Sequence, residues 1–183
     1  MSARGGGGAI ALLLVAVVVL LADRAGDDGG GEPAREPPAR GEAGAGQGDV
    51  ARARVVRVID GDTIEVEIGG STEDVRYIGV DTPETVKPGT PVQCFGPQAS
   101  EHNHELVEGQ AVRLRFDAER RDVYGRLLAY VHVRDLFVNA ALLRRGYATT
   151  LTIPPNDSQA ARFARIEQAA ARDGRGLWGA CEV

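Results

Sequence analysis

Five short apolar segments, each closed by turn-forming residues, narrow the fold of this chain more than any other feature. Arg54–Ile59 (RVVRVI) and Thr63–Ile68 (TIEVEI) are β-branched runs joined by Asp60-Gly61-Asp62, which is turn chemistry. Gly69–Glu73 (GGSTE) makes a second turn and leads into Asp74–Val80 as a third strand. Val112–Phe116 (VRLRF) and Leu127–Val133 (LLAYVHV) supply two more. Strands this short, with tight connections, predict a small antiparallel sheet or barrel. Helical spacing comes later, over Pro97–Val107, Val138–Arg145 and Ser158–Arg172. The second of these stops at Gly146; the third starts on a serine suited to capping and has Gly174 just past its end. The expected class is α+β, mainly β.

The remainder of the chain is organised around that block. Arg4 and a glycine run precede Ala9–Ala22 (AIALLLVAVVVLLA), so residues 1–22 read as a secretory signal or as an uncleaved membrane anchor. The run is short of the ~20 apolar residues of a membrane span, but flanking glycines extend it, and no clear cleavage site follows. Residues 23–50 are rich in Gly, Pro, Ala and charge and lack the apolar surface to offset ordering, so they read as a disordered linker. The folded domain is expected over 51–183. A hydrophobic content of 43% among 183 residues suffices for one packed core. The formal net charge of -5 excludes a basic nucleic-acid coat protein, but not an enzyme with a local positive site. The two cysteines, Cys94 and Cys181, suit an exported protein with one disulfide; two unrelated thiols are the alternative.

The segment Asp74–Thr85 (DVRYIGVDTPET) carries an unusual density of charge for a strand. Strand alternation places Arg76 on the face shared by Ile78 and Val80, where a cation needs a partner or an arriving anion. A structural arginine paired with Glu73 or Asp74 is the competing reading. If the second and third strands pair through GGSTE, Asp62 comes beside Asp81. Two converging carboxylates offer hard oxygen ligands to a cation such as Ca2+, and without one they repel and one pKa rises. Both aspartates capping turns is the plainer alternative. Glu84 follows Pro83, where a fixed carboxylate could polarise a water. In Asp122–Tyr130 (DVYGRLLAY), Gly125 suggests a turn presenting Arg126 opposite Arg76, a guanidinium clamp for phosphate. Together these groups suit water attack on a phosphodiester with no covalent nucleophile. No G-x-S-x-G, P-loop or Cys/His pair in a suitable context is present.

At this point the runs VIDGDTIEV, VRYIGVDTPET, CFGPQAS, DVYGRLLAYV, FVNAALLRRGYA and GLW, in this order from about Val55 to Trp178, resemble the staphylococcal nuclease (thermonuclease) family. The resemblance implies an OB-fold five-stranded barrel with about three helices. It implies Ca2+-dependent hydrolysis of DNA and RNA that leaves 3′-phosphate ends. By motif match, Asp62, Asp81 and the Thr82 carbonyl would be metal ligands, and Glu84 the general base. Arg76 and Arg126 would hold the scissile phosphate, and Tyr124 a nucleotide phosphate. Two departures stand out: Val123 replaces a lysine, and Leu151–Pro154 (LTIP) lacks the family's base-stacking tyrosines. Stacking contributes about 1–3 kcal/mol per base, so affinity would be weaker or differently arranged.

Several residues invite weaker readings. His102 and His104 fall on different helix faces and are not expected to share a metal. Trp178 and Tyr147 read as core residues, Asp60 and Asp122 as turn caps, Arg144 and Arg145 as a solvated face. The leading expectation is an extracytoplasmic nuclease, secreted or tethered through residues 9–22, and monomeric. The alternative is an inactive OB-fold module that binds nucleic acid.

Overall fold

The computed structural model describes residues 48–86 and 89–182. The apolar N-terminal segment and the linker up to residue 47 lie outside the described residues. Among the described residues no helix is long and apolar enough to cross a membrane.

β1 (Val50–Val58), β2 (Thr63–Ile68) and β3 (Ser71–Tyr77) form a meander. β1 also pairs antiparallel with β5 (Ala111–Arg115), which pairs with β6 (Leu127–Val133). β6 then meets β3 in parallel, with Val75 opposite Leu127 and Tyr77 opposite Ala129, and this contact closes a five-stranded barrel. The expected antiparallel barrel is therefore mixed: its closing seam is parallel, a pairing between strands far apart in sequence that strand spacing does not encode. A two-residue β7 (Leu136–Phe137) pairs antiparallel with the end of β6, and β4 (Gly79–Asp81) pairs with β8 (Thr149–Leu151) in a separate small sheet. The helices are α1 (Gly96–Val107), α2 (Val138–Arg145), α3 (Ala160–Arg172) and the short α4 (Leu177–Ala180). This is the OB-fold arrangement, mainly β with α+β character.

Alternation along the strands fills the barrel. Val55, Ile64, Val66, Val75, Tyr77, Leu114 and Val131 point inward and are buried, as are Leu142, Leu143 and Phe163 of the helices that cover one side. Each such side chain contributes on the order of 1.5–3 kcal/mol on burial.

The third strand departs from the expected Asp74–Val80. It starts at Ser71, so the expected Gly69–Glu73 turn is Gly69-Gly70 alone. It breaks at Ile78 before Gly79, whose φ of +78° is a backbone state that side chains disfavour and where a Cβ would lie 2.7 Å from the Phe163 ring. The break shifts the alternation by a residue. Val75 and Tyr77 are buried in the barrel and Arg76 between them faces outward, while Ile78 lies in the break, so simple alternation does not carry from Arg76 to Val80. Asn139 of α2 fastens this kink: its Nδ2 donates to the Ile78 carbonyl at 2.9 Å, and its Oδ1 accepts from the Val131 amide at 2.9 Å.

Two helix details also differ from expectation. α3 starts at Ala160, and Ser158 does not cap it; the Ser158 hydroxyl bonds the Tyr130 hydroxyl at 3.2 Å. Trp178 is half-buried, with Nε1 unpaired, while Leu177 takes the core position. Gly146 caps α2 in the left-handed conformation, as the sequence suggests.

Candidate active site

The Asp60-Gly61-Asp62 turn delivers the first functional group. Asp60 Oδ1 accepts from the Asp62 amide at 2.9 Å, the capping role expected of it. Asn103 of α1 donates to the Asp60 carbonyl at 3.0 Å and accepts from the buried Tyr77 hydroxyl at 3.0 Å. Gly61 is required by close approach: a Cβ on it would lie 2.6 Å from Thr82 Oγ1. That closeness lets Thr82 donate twice to Asp62 Oδ2, from its amide at 2.7 Å and its hydroxyl at 3.0 Å.

Asp62 Oδ1 faces Arg76 Nη1 at 2.7 Å, and Arg76 Nη2 meets Asp81 Oδ1 at 2.6 Å. One guanidinium thus spans both aspartates, and Nη1 also donates to the Val80 carbonyl at 3.0 Å. The side chains of Asp62 and Arg76 are 6% and 14% exposed, against 52% for Asp81. Arg76 pairs with neither Glu73 nor Asp74; Glu73 pairs with Arg121 instead. Burial pushes the Asp62 carboxyl up to about 7, with Arg76 and the Thr82 hydrogen bonds opposing the rise and Asp60 adding to it. The neighbour that adds to the rise is thus Asp60 in the same turn.

Glu84 sits in the loop after β4. Its Oε1 accepts from the Thr85 and Val86 amides at 2.9 and 2.8 Å. Its backbone is clamped by Gln93, whose Oε1 accepts from the Glu84 amide and whose amide donates to the Glu84 carbonyl, both at 2.9 Å. Next to Gln93, Cys94 is bonded to Cys181, with a Cα–Cα distance of 6.0 Å. The expected disulfide is present, and it ties the Glu84 loop to the C-terminal segment.

Arg126 is aimed by Asp122. Oδ1 of Asp122 accepts from the Tyr124 and Arg126 amides, both at 3.0 Å, and Oδ2 accepts a fork from Arg126 Nε and Nη2, both at 2.8 Å. Asp122 is more than a turn cap, then. A carboxylate four residues before an arginine across a glycine turn is the sequence signal that could have found it. Tyr124 is 82% exposed, with the Arg126 guanidinium 5.5 Å from its ring centre, and Val123 beside it is 93% exposed.

All seven residues expected at the site line one cavity of about 490 Å³: Asp62, Arg76, Asp81, Thr82, Glu84, Tyr124 and Arg126. A second cavity of about 500 Å³ shares Arg76, Tyr124 and Arg126 and continues over Leu151 and Ile153, an aliphatic wall. His102 and His104 lie elsewhere, beside Glu105 of the same helix and Glu108 just past its end, and His102 stacks on Tyr147 at 4.3 Å.

Among the described residues no group of three or more His, Cys, Asp or Glu side chains gathers as a metal cage. A cation here would rest on two carboxylates supplemented by main-chain and solvent oxygens, which Ca2+ accepts. The chemistry of the donors fits: both aspartates already turn an oxygen toward one positive group.

A family model described as "Staphylococcal nuclease homologue" matches residues 74–180. Thermonuclease of Staphylococcus intermedius is 45% identical over 124 residues, covering 68% of this chain and 74% of its own length. Thermonuclease of Staphylococcus hyicus is 40% identical over 136 residues, 74% of this chain and 80% of its own. Endonuclease YncB of Bacillus subtilis (strain 168) is 46% identical over 124 residues, 67% of this chain and 59% of its own.

Proposed function

The chain belongs to the staphylococcal nuclease family, and on that premise we propose that it is a Ca2+-dependent endonuclease hydrolysing DNA and RNA outside the cytoplasm. It is a hydrolase of the phosphodiesterase type. The observation that carries the reading is the single cavity into which two aspartates, a glutamate and two arginines project. A module that only binds strands has no use for an acidic pair and a fixed carboxylate beside a guanidinium clamp.

Asp62, Asp81 and the Thr82 carbonyl would hold the cation, which when bound supplies positive charge against that developing on the phosphate. Thr82 keeps Asp62 oriented through its two hydrogen bonds. Arg126, aimed by Asp122, and Arg76 donate to the non-bridging phosphate oxygens, most strongly as the five-coordinate transition state gathers charge. Glu84, its rotamer set by two amide donors, takes a proton from the attacking water. The new P–O bond forms to that water oxygen and the bond to the 5′ oxygen breaks, leaving a 3′-phosphate and a 5′-hydroxyl once the leaving oxygen is protonated. Tyr124 stands where a neighbouring nucleotide phosphate would pass, and the aliphatic wall of Leu151 and Ile153 offers a base packing without stacking.

The apolar segment of residues 9–22 carries the domain out of the cytoplasm, either removed as a signal or retained as a tether; the disulfide suits that compartment. The working unit is a monomer. Glu84→Gln tests the assignment: turnover of DNA falls by about 10²–10⁴ with the melting temperature unchanged. Unchanged turnover in that variant would contradict it.

A further inference from the structure

Resting on the nuclease reading, we propose a second nucleic-acid site: a cationic groove on the outer face of β1, β5 and β6 that binds the phosphate backbone of the substrate away from the cut. Strand register builds it. Arg52 lies opposite Arg113, and Arg113 lies opposite His132, so three basic residues form one row across three strands. Arg115 follows in the adjacent row, opposite Tyr130. Like charges facing each other across a sheet are destabilising. Carboxylates in the neighbouring rows would relieve them, yet no carboxylate among the described residues comes within ion-pair distance of Arg52, Arg113, Arg115 or Arg162.

Aromatic faces hold two of these cations instead. Arg115 lies 5.0 Å from the centre of the Tyr130 ring, and Arg162 of α3 lies 5.1 Å from that of Phe137, on which His132 stacks at 4.5 Å. Arg113 donates to the Arg134 carbonyl at 2.8 Å, a neutral partner that leaves its charge uncompensated. The field is positive enough that Arg113, Arg115 and Arg162 add to burial in holding the His132 imidazole below its usual range. The groove encloses about 320 Å³, and Arg162 also lines a second depression with Arg144, Arg165 and Arg175. This concentration stands out on a chain whose net charge is -5.

The groove is separate from the active cavity and shares no residue with it. On β6, Leu128 faces the aliphatic cavity and His132 the groove, about 13 Å further along the strand. The segment before α3 stands between them, where Ser158 bonds Tyr130. A polyanion held at Arg126 reaches the groove only if it continues for several nucleotides, so the groove favours long substrates over short ones. Guanidiniums without base-reading partners recognise phosphate without regard to sequence.

The test uses the full chain and the double variant Arg113→Gln/Arg115→Gln. In chelator, where strands remain uncut, binding of a labelled single-stranded DNA is titrated against salt. The variant should bind about tenfold more weakly, with a log–log salt slope shallower by about 1.4, from about 0.7 per lost phosphate contact. With Ca2+, KM for long DNA should rise while turnover of a dinucleotide-sized phosphodiester stays level. Arg162→Gln, on a different element, should shift the DNA binding the same way and guards against a misfolded double variant. Equal affinity and equal slope in all three proteins would overturn the groove. So would loss of binding to anionic phospholipid vesicles with DNA binding intact. Because the binding arm needs no catalysis, a wild type that binds with these slopes but cuts nothing would instead refute the nuclease reading.

Discussion

Arg76 and Arg113 both project from the outer face of barrel strands, yet they live in opposite electrostatic surroundings. Arg76 is half-buried between Asp62 and Asp81, at 2.7 and 2.6 Å. Arg113 is exposed in a row of other basic residues and, among the described residues, its guanidinium donates to a carbonyl oxygen and pairs with no carboxylate. The first arrangement fixes a guanidinium so that little ordering remains when a phosphate arrives, which suits chemistry on one bond. The second leaves charge uncompensated, which suits loose, salt-sensitive attachment to many phosphates. Net charge conceals both, since an acidic chain carries a paired cationic site and an unpaired one on the same barrel.

The contrast yields predictions that grade from large to small. Removing the clamp at Arg126, by Arg126→Gln, should lower kcat by about 10²–10³, because its hydrogen bonds strengthen in the transition state. A similar loss on Arg113→Gln would erase the distinction between the two regions. Next, Asp62 must be ionised to hold a cation, and burial keeps its carboxyl protonated below about 7. The sign follows: Ca2+ binding should weaken about tenfold for each pH unit below that value and level off above it, with proton release, measurable by calorimetry in two buffers. Asp122→Asn keeps the turn cap but weakens the fork to Arg126, so kcat should drop by roughly tenfold with the melting temperature nearly constant. Smallest in rate is the disulfide. Cys94→Ser with Cys181→Ser should cost about 2–5 kcal/mol of stability. It should slow cleavage only a few-fold by loosening Gln93 and, through it, Glu84.

The sequence made the barrel and most of the site legible for a physical reason. Short β-branched runs with Asp and Gly between them leave few alternatives, and β2 and β6 fall where the alternation puts them. The hairpin argument brings Asp62 toward Asp81 although the turn is Gly69-Gly70 alone, with Ser71–Glu73 already in β3, and both aspartates meet Arg76. What it missed needed register or a backbone break. Alternation carried from Arg76 to Val80 failed because the strand breaks at Ile78 and Gly79, and a one-residue kink reverses every later side chain. VRLRF reads simply as a strand, and only the pairing of Arg113 with Arg52 and His132 reveals a cationic row. Ser158 reads as a helix cap until Tyr130, distant in sequence, claims its hydroxyl. The parallel seam between β3 and β6 is likewise a long-range contact that no local signal records.

The central claim is that two aspartates, a glutamate and two arginines in one cavity cut phosphodiesters with the help of Ca2+. The purified chain, incubated with DNA and with RNA in Ca2+ or in excess chelator, followed by analysis of the new ends, tests it most directly. The account predicts cleavage only with Ca2+, with 3′-phosphate and 5′-hydroxyl ends. Full activity in chelator, or 5′-phosphate ends, would contradict it.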